Sequence, residues 1–308
     1  MIFSIDQLAA AAQKEVDSYF DEPVITVPRP DGLYPNLPFE EYLKLPFWSY
    51  SSLEHARKSA AHARAARLGG SKKPTDDMQL GSALHVAILE PDQVGKRIAV
   101  WIGDVRKGKV WEAFKNTNKG RIILTKNQFD QLFIMSQAVH ASPFAKEILP
   151  KIIDVELSKI GTINGLRIKS RLDARTSDTI LDIKKVQSAD TRAFTRAVTT
   201  YSYDIQAALY CRMFDMDKFV FLCIENEPPC DVVPFIVSHD MLTNGGRKLD
   251  QCIETVRAAE KSGLWPGRSS TPVLLEPNPY DVAPEVEYEM PEPPPEQSEG
   301  DFHDWKNE

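Results

Sequence analysis

Residues 154–186 read DVELSKIGTINGLRIKSRLDARTSDTILDIKKV. Apolar residues, many of them β-branched, alternate with polar ones, which is the period of strands with one face turned inward. Asn164-Gly165 marks a tight hairpin turn, because both residues accept the positive φ that such a turn demands. Thr176-Ser177-Asp178 marks a second turn. The pattern predicts three antiparallel strands, over about 153–162, 166–174 and 179–186.

The third strand carries charges where a strand in the middle of a sheet should be apolar. Side chains at i and i+2 point to one side, so Asp182 and Lys184 share a face and Leu181 and Ile183 share the other. ILDI lies inside a meander, and a further apolar strand, FVFLCI, still has to join the sheet. A buried Asp and Lys therefore need a reason. Asp173 sits near the end of the preceding strand. A turn near Ser177 can set it alongside Asp182, where cross-strand neighbours lie about 5 Å apart. Two carboxylates at that separation repel, and they take up a proton or share a cation. Hard oxygen ligands suit Mg2+ or Mn2+. A lysine beside them can orient or deprotonate a water, a set of parts suited to phosphodiester hydrolysis. The competing reading of this stretch alone is a surface hairpin with a weak Asp–Lys pair. Asp178 reads as a turn residue.

Outward from this stretch, Ser51-Ser52-Leu53-Glu54 reads as a capping box with Ser51 as N-cap. It opens a basic helix, with Arg57, Lys58, Arg64 and Arg67, that stops at Gly69-Gly70. A second helix is expected from about Asp77 to Glu90, ended by Pro91. A basic, loop-like region covers about 104–121, and another helix runs from Lys126 to Leu149. After the meander come a helix from about 189 or 191 to Met216, two strands in FVFLCIENEPP and DVVPFIVSHD, and a last helix over 240–262. This order predicts an α/β fold, a central mixed β-sheet flanked by helices. The expected divisions are an N-terminal extension over 1–30, one domain over 31–275, and an acidic, proline-rich, disordered tail over 276–308.

The chain has 308 residues, 42% of them apolar, enough for a sizeable core. No run of 18 apolar residues occurs, so no membrane span is expected. The N-terminus lacks the basic start and apolar core of a leader peptide. Cys211, Cys223, Cys230 and Cys252 form no CxxC pair. They read as reduced thiols of a cytoplasmic protein, with no spacing for an iron–sulfur cluster. The net charge of −7 hides an asymmetry. From Glu276 onward eleven acids face one lysine, so the remaining 275 residues carry 36 basic and 33 acidic groups. A mildly basic body is compatible with a nucleic-acid partner.

Four blocks in this order carry a family resemblance. Asp173, eight intervening residues and Asp182-Ile183-Lys184 resemble the PD-(D/E)XK nuclease motif. Gly81-Ser82-Ala83-Leu84-His85, followed by Leu89-Glu90-Pro91, is similar to the helix of the RecE-type exonucleases (exonuclease VIII) of the RecB-like branch. YSYDIQAALY, over 201–210, resembles that branch's QxxxY segment through Gln206 and Tyr210. PDGLYPNLPFEEYLKLPFWSYSSLEHARKSAAHARAAR, over 30–67, resembles the start of the family's domain. The resemblance spans about 30–275.

Position by position, the resemblance implies metal ligands at His85, Asp173 and Asp182, with the Ile183 carbonyl as an extra ligand. Lys184 would be the catalytic lysine, and Gln206 and Tyr210 would support the site or contact DNA. Residue 182 is Asp where much of the superfamily has Glu; the shorter side chain is usual in the RecB-like branch. The residues themselves agree with these roles. A lone histidine in an apolar helix is more often a packed core residue, and only the motif around His85 reverses that. Tyr203, Gln206 and Tyr210 share one helix face. Glu156 points at the motif region, as an acid that joins or supports the metal site. Arg171, Arg175, Lys185, Arg192 and Arg196 are each either solvated surface or a phosphate contact.

The function implied is a Mg2+-dependent exodeoxyribonuclease, with Mn2+ able to substitute. It would act on double-stranded DNA ends, 5′→3′, leaving 3′ overhangs for recombination by strand annealing, as in phage systems. Family members form homo-oligomeric rings and work with a RecT-type single-strand annealing protein. Two alternatives stand beside it: a RecB- or Cas4-like nuclease of other polarity, and a catalytically silent DNA-end-binding module. The absence of cluster cysteines weighs against the Cas4 form. The acidic tail reads as a solubilising end, a DNA mimic or a partner site.

Overall fold

The strand that carries Asp182 and Lys184 lies at the centre of a sheet. The computed structural model describes residues 29–69, 74–269 and 271–276. Its strands are β1 (Gly32–Tyr34), β2 (Ile98–Trp101), β3 (Ile122–Thr125), β4 (Asp154–Val155), β5 (Ser158–Ile163), β6 (Leu166–Arg171), β7 (Ala174–Arg175), β8 (Thr179–Val186), β9 (Lys218–Glu225) and β10 (Val232–Ile236). The main sheet runs β10-β9-β8-β7-β4. Only β8 and β9 pair in parallel, so the sheet is mixed. The parallel pair needs a crossover, supplied by α-helices Thr191–Tyr201 and Tyr203–Phe214.

Helices cover both faces. On one, Ile180, Phe219, Phe221 and Cys223 pack against Phe194, Ile205 and Leu209 of the crossover helices, and against Leu249, Ile253 and Val256 of helix His239–Ser262. On the other, Ala174, Leu181, Ile183, Val220 and Leu222 meet Leu80, Leu84 and Ile88 of helix Asp76–Leu89, with Leu132, Met135 and Val139 of helix Lys126–Ala141. Burial on both faces explains the nearly unbroken apolar run of β9. All four cysteines are buried and none is in a disulfide.

The three strands expected of the meander are each real, but they do not form one sheet. β5 and β6 pair with β1 in a separate antiparallel sheet, ordered β1-β5-β6. The first two long strands each break once, into β4 and β5 and into β6 and β7. Glu156 at the first break adopts φ 53°, and Leu157 and Leu172 turn into the core there. Lys169 of β6 is buried, and its Nζ donates to the carbonyls of Tyr42, Leu43 and Leu45 at 2.9, 3.1 and 2.8 Å. It closes the C-terminal end of the short helix Phe39–Lys44, and burial beside Arg67 pulls its pKa down to about 8.

Several expected boundaries are corrected. The N-cap of the first basic segment is Ser49, not Ser51; the Ser49 N–H donates to Ser52 Oγ at 3.0 Å. The segment is not one helix. A turn at Tyr50–Leu53 and a 3-10 turn at Glu54–Arg57 precede helix Ala60–Leu68, which Ser59 caps. Region 104–121 is not a loop, because helix Gly108–Thr117 occupies its middle, between the parallel pair β2 and β3. The helix from Lys126 ends at Ala141, and Pro143 opens a new one, Pro143–Ile148, as its fixed φ favours at a first turn. The helix expected up to Met216 is two helices, parted at Ser202 in the left-handed region, φ 59°.

Residues 271–308 form a unit of their own, of which 271–276 are exposed and without regular structure. The expected N-terminal helix and the bulk of the acidic tail lie outside the described residues. No helix of the described residues is long and apolar enough to cross a membrane.

Candidate active site

β7 is only two residues long. It pairs Ala174 with Leu181 and Arg175 with Ile180, so from Asp182 onward β8 has a ladder partner on the β9 side alone. Side chains take over the other edge. The Ile183 N–H donates to Asp173 Oδ2 at 2.7 Å, and the Ile183 carbonyl lies 3.0 Å from His85 Nε2. Both backbone groups of Ile183 are thus satisfied without a strand.

Two turns set three acids side by side. Continued by one residue, the β7–β8 register places Asp173 across from Asp182. The β5–β6 register, fixed by Asn164-Gly165, pairs Ser158 with Arg171. Beyond it Leu172 N donates to Leu157 O at 3.1 Å, and Glu156 N to Asp173 O at 2.8 Å. Glu156, Asp173 and Asp182 are therefore consecutive across three chain segments.

His85 comes to the same place from helix Asp76–Leu89. Thr75 caps that helix by accepting Met78 N–H at 3.2 Å, and Asp76 and Asp77 suit its positive end. His85 Nδ1 lies 3.4 Å from Asp173 Oδ1, with a quarter of the side chain exposed. His85, Glu156 and Asp173 each offer a ligand atom, and these atoms lie within 4.8 Å of one another. Arg171 Nε donates to Glu156 Oε2 at 2.5 Å and balances its charge. Burial opposes charge on His85, but Asp173, with Asp182 and Glu156 behind it, raises the pKa to about 9. Asp173 is likewise opposed by burial, and the His85 charge and hydrogen bond hold it below the usual range.

Asp182 stands next to this group and has other partners. Its Oδ2 accepts Gln206 Nε2 at 2.8 Å. Its Oδ1 lies 2.6 Å from Lys184 Nζ but has no hydrogen bond of good geometry, although it is buried. Burial lifts the Asp182 pKa to about 6, against the pull of Lys184. An imidazole and two carboxylates that converge, His85, Glu156 and Asp173, fit a divalent cation, whereas Asp182 next to them turns Oδ1 to Lys184.

Lys184 is held from three sides. Besides Asp182, its Nζ donates to Gln206 Oε1 at 3.1 Å and sits 4.6 Å from the centre of the Tyr203 ring. Gln206 thus bonds the acid with its amide nitrogen and the lysine with its oxygen. Tyr210, one turn on, is buried beside Phe219. Burial carries its pKa well up, with Gln206 at its hydroxyl.

The structure brings together His85, Asp173, Asp182, Ile183, Lys184 and Gln206, with Tyr210 behind them. Glu156 belongs to the acid group at full closeness. The signal for it was in the sequence: counting outward from Asn164-Gly165 pairs residue 156 with residue 173. The basic residues fare differently. Arg171 and Arg175 are tied to Glu156 and Asp154, Lys185 to Asp77 at 2.5 Å, and Arg192 and Arg196 are exposed on helix Thr191–Tyr201. Asp178 is a turn residue, bonded to Thr176, Thr179 and Lys218.

A family model described as a PDDEXK-like domain of unknown function (DUF3799) matches residues 49–272. The chain belongs to this PDDEXK-like family. Among solved structures, a protein of Eubacterium rectale provisionally named an exonuclease is 14% identical, with a TM-score of 0.54 over 79% of this chain and 96% of its own. This likeness shows a shared PDDEXK-like fold. A phage-related exonuclease from Haemophilus somnus 129PT is 12% identical, with a TM-score of 0.30 over 69% of this chain and 95% of its own. A comparison with curated protein sequences finds no match.

Proposed function

We propose that this PDDEXK-like chain is a metal-dependent exodeoxyribonuclease that hydrolyses linear double-stranded DNA from its ends, 5′→3′, leaving 3′ single strands. The observation that carries the reading is the row Glu156, Asp173 and Asp182 at an open strand edge, with Lys184 locked beside it. His85, Asp173, Asp182 and the Ile183 carbonyl would hold Mg2+, or Mn2+ in its place, and Glu156, which lies close to His85 and Asp173, would join them. The bound ion supplies positive charge for the scissile phosphate and a more acidic water.

The chain's own residues do the rest. Lys184, charged and aimed into the site, orients the attacking water and offsets charge that builds on the phosphate. Gln206 fixes the angle between Lys184 and Asp182, and Tyr210 packs behind Gln206. Asp173 fixes the Ile183 backbone and orients His85. The resemblance to RecE-type exonucleases supports action in strand-annealing recombination in the cytoplasm, as a homo-oligomeric ring with a RecT-type annealing protein.

The test is a linear duplex labelled at the 5′ or the 3′ end. With Mg2+ the 5′ label should be released first, and EDTA should stop the reaction. Full activity of Lys184→Ala would sink the mechanism, and early release of the 3′ label would reverse the polarity.

A further inference from the structure

The segment from Trp101 to Arg121 is unused by the site. It leaves the body between β2 and β3 and carries helix Gly108–Thr117. Its surface is of an unusual kind. Ile102, Val105 and Val110 are 83%, 58% and 74% exposed. Lys107, Lys109 and Lys119 are exposed among them. Trp111 is half-buried, stacked with Phe114 and edge-on to Trp101, and Arg106 and Lys115 lie within 5.8 and 5.5 Å of its ring centre.

We infer that residues 101–121 dock single-stranded DNA, with Lys107, Lys109 and Lys119 on its phosphates and Ile102, Val105, Val110 and Trp111 against its bases. The inference deepens the nuclease reading and rests on it for the substrate. A duplex shows a passing surface mainly phosphates and sugars, which leaves three exposed aliphatic side chains with nothing to cover. An unpaired strand shows base faces, which aromatic side chains such as Trp111 stack on without regard to sequence, and which exposed aliphatic side chains can cover. The segment is also placed to receive a strand. Arg106 Nη1 donates to Asp76 Oδ1 at 2.7 Å, at the N-terminal end of the helix that carries His85. Nine residues of helix rise about 14 Å, the length of about four stacked nucleotides.

The experiment is fluorescence anisotropy with the full chain in EDTA, against labelled oligothymidylate of about 20 nucleotides and a blunt duplex of equal length. Lys107→Ala/Lys109→Ala/Lys119→Ala should weaken single-strand binding at least tenfold and flatten its salt dependence by about 2 in log–log slope. Ile102→Ser/Val110→Ser should weaken it several-fold with the slope unchanged, and should leave duplex binding as it was. Both variants should hydrolyse thymidine 5′-p-nitrophenyl phosphate at the parent rate with Mg2+. Unchanged single-strand affinity overturns the inference, as does an equal loss on the duplex. A change of oligomeric state in Ile102→Ser/Val110→Ser with DNA affinity intact also overturns it, and assigns the face to protein contact. Absence of hydrolysis by the parent chain would count against the nuclease reading alone, because the binding comparison needs no turnover.

Discussion

The Asp173 carboxylate accepts the Ile183 N–H at 2.7 Å, where a neighbouring strand would have offered a carbonyl. Asp173→Ala leaves that buried donor without a partner, at a cost of about 1–3 kcal/mol. It also removes the anion that charges His85. The variant should lose that much in urea unfolding in EDTA, and should lose nuclease activity by more than a hundredfold. Parent-like stability would mean that water replaces the carboxylate and that the edge is wetter than described.

Gln206 bonds Asp182 and Lys184 at once. Gln206→Ala keeps both charges and loses only their alignment. Its kcat should fall by about 10–100-fold, the usual effect of removing a group that orients a metal ligand, with KM for DNA changed little. Gln206→Glu should be worse, because a third acid replaces the donor to Asp182. Steady-state kinetics on a linear duplex decides both.

Lys184→Met leaves Asp182 buried without its counter-charge, a loss of about 3–5 kcal/mol at neutral pH. Adding Asp182→Asn removes the stranded charge. The double variant should therefore be more stable than Lys184→Met alone, while both stay inactive. A double-mutant cycle at pH 7 measures the coupling, and additive losses would show that the two groups do not depend on each other.

His85 binds its proton more tightly in the fold, with a pKa of about 9, than in the unfolded chain at 6.5. The stabilisation it gives is complete below pH 6.5 and is lost as pH rises through 9, on the order of 3 kcal/mol. Metal-free protein should lose stability from pH 6.5 to 8, above which Lys169, with its pKa lowered to about 8, offsets part of the loss, and the stability difference between parent and His85→Gln should shrink across the whole window. An imidazole binds metal only when neutral, so cation affinity should rise over the same window. Calorimetric melting in EDTA from pH 6 to 9.5 checks the first point, and isothermal titration with Mn2+ the second.

Lys169→Met strands the carbonyls of Tyr42, Leu43 and Leu45 in a buried place. Hydrogen exchange of residues 39–46 should quicken, and stability should fall by about 1–3 kcal/mol, while activity on a minimal phosphodiester stays unchanged. Slow exchange there would mean that the carbonyls find other donors.

The hairpin strands β5 and β6 were legible from the alternation of apolar and polar residues, and β8 and β9 from apolar runs that burial on both faces explains. Asp182 and Lys184 stood out as charges in such a run. The breaks were not legible. Ser202 parts two helices in a left-handed conformation without a glycine or proline to announce it. β2 and β3 have four residues each, too few to establish a period, and their parallel pairing depends on contacts distant in sequence. Helix Gly108–Thr117 is basic, and its lysines masked the spacing of Trp111 and Phe114. The split of the meander into two sheets rests on Leu157 and Leu172 entering the core, which alternation alone does not reveal. Glu156 could have been aligned with Asp173 by counting pairs from Asn164-Gly165.

That counting has a consequence for how the gene can change. The hairpin of β5 and β6 acts as a ruler for Glu156 and Asp173, so its length matters only as a difference between its two arms. Adding one residue to each arm near the turn lengthens the ruler and leaves the base in step. A one-residue insertion or deletion in a single arm forces a bulge or slips the pairing, and moves Glu156 away from Asp173 with every site residue still present. Homologues with unequal arms should therefore lack the acid opposite Asp173 or carry it one position displaced.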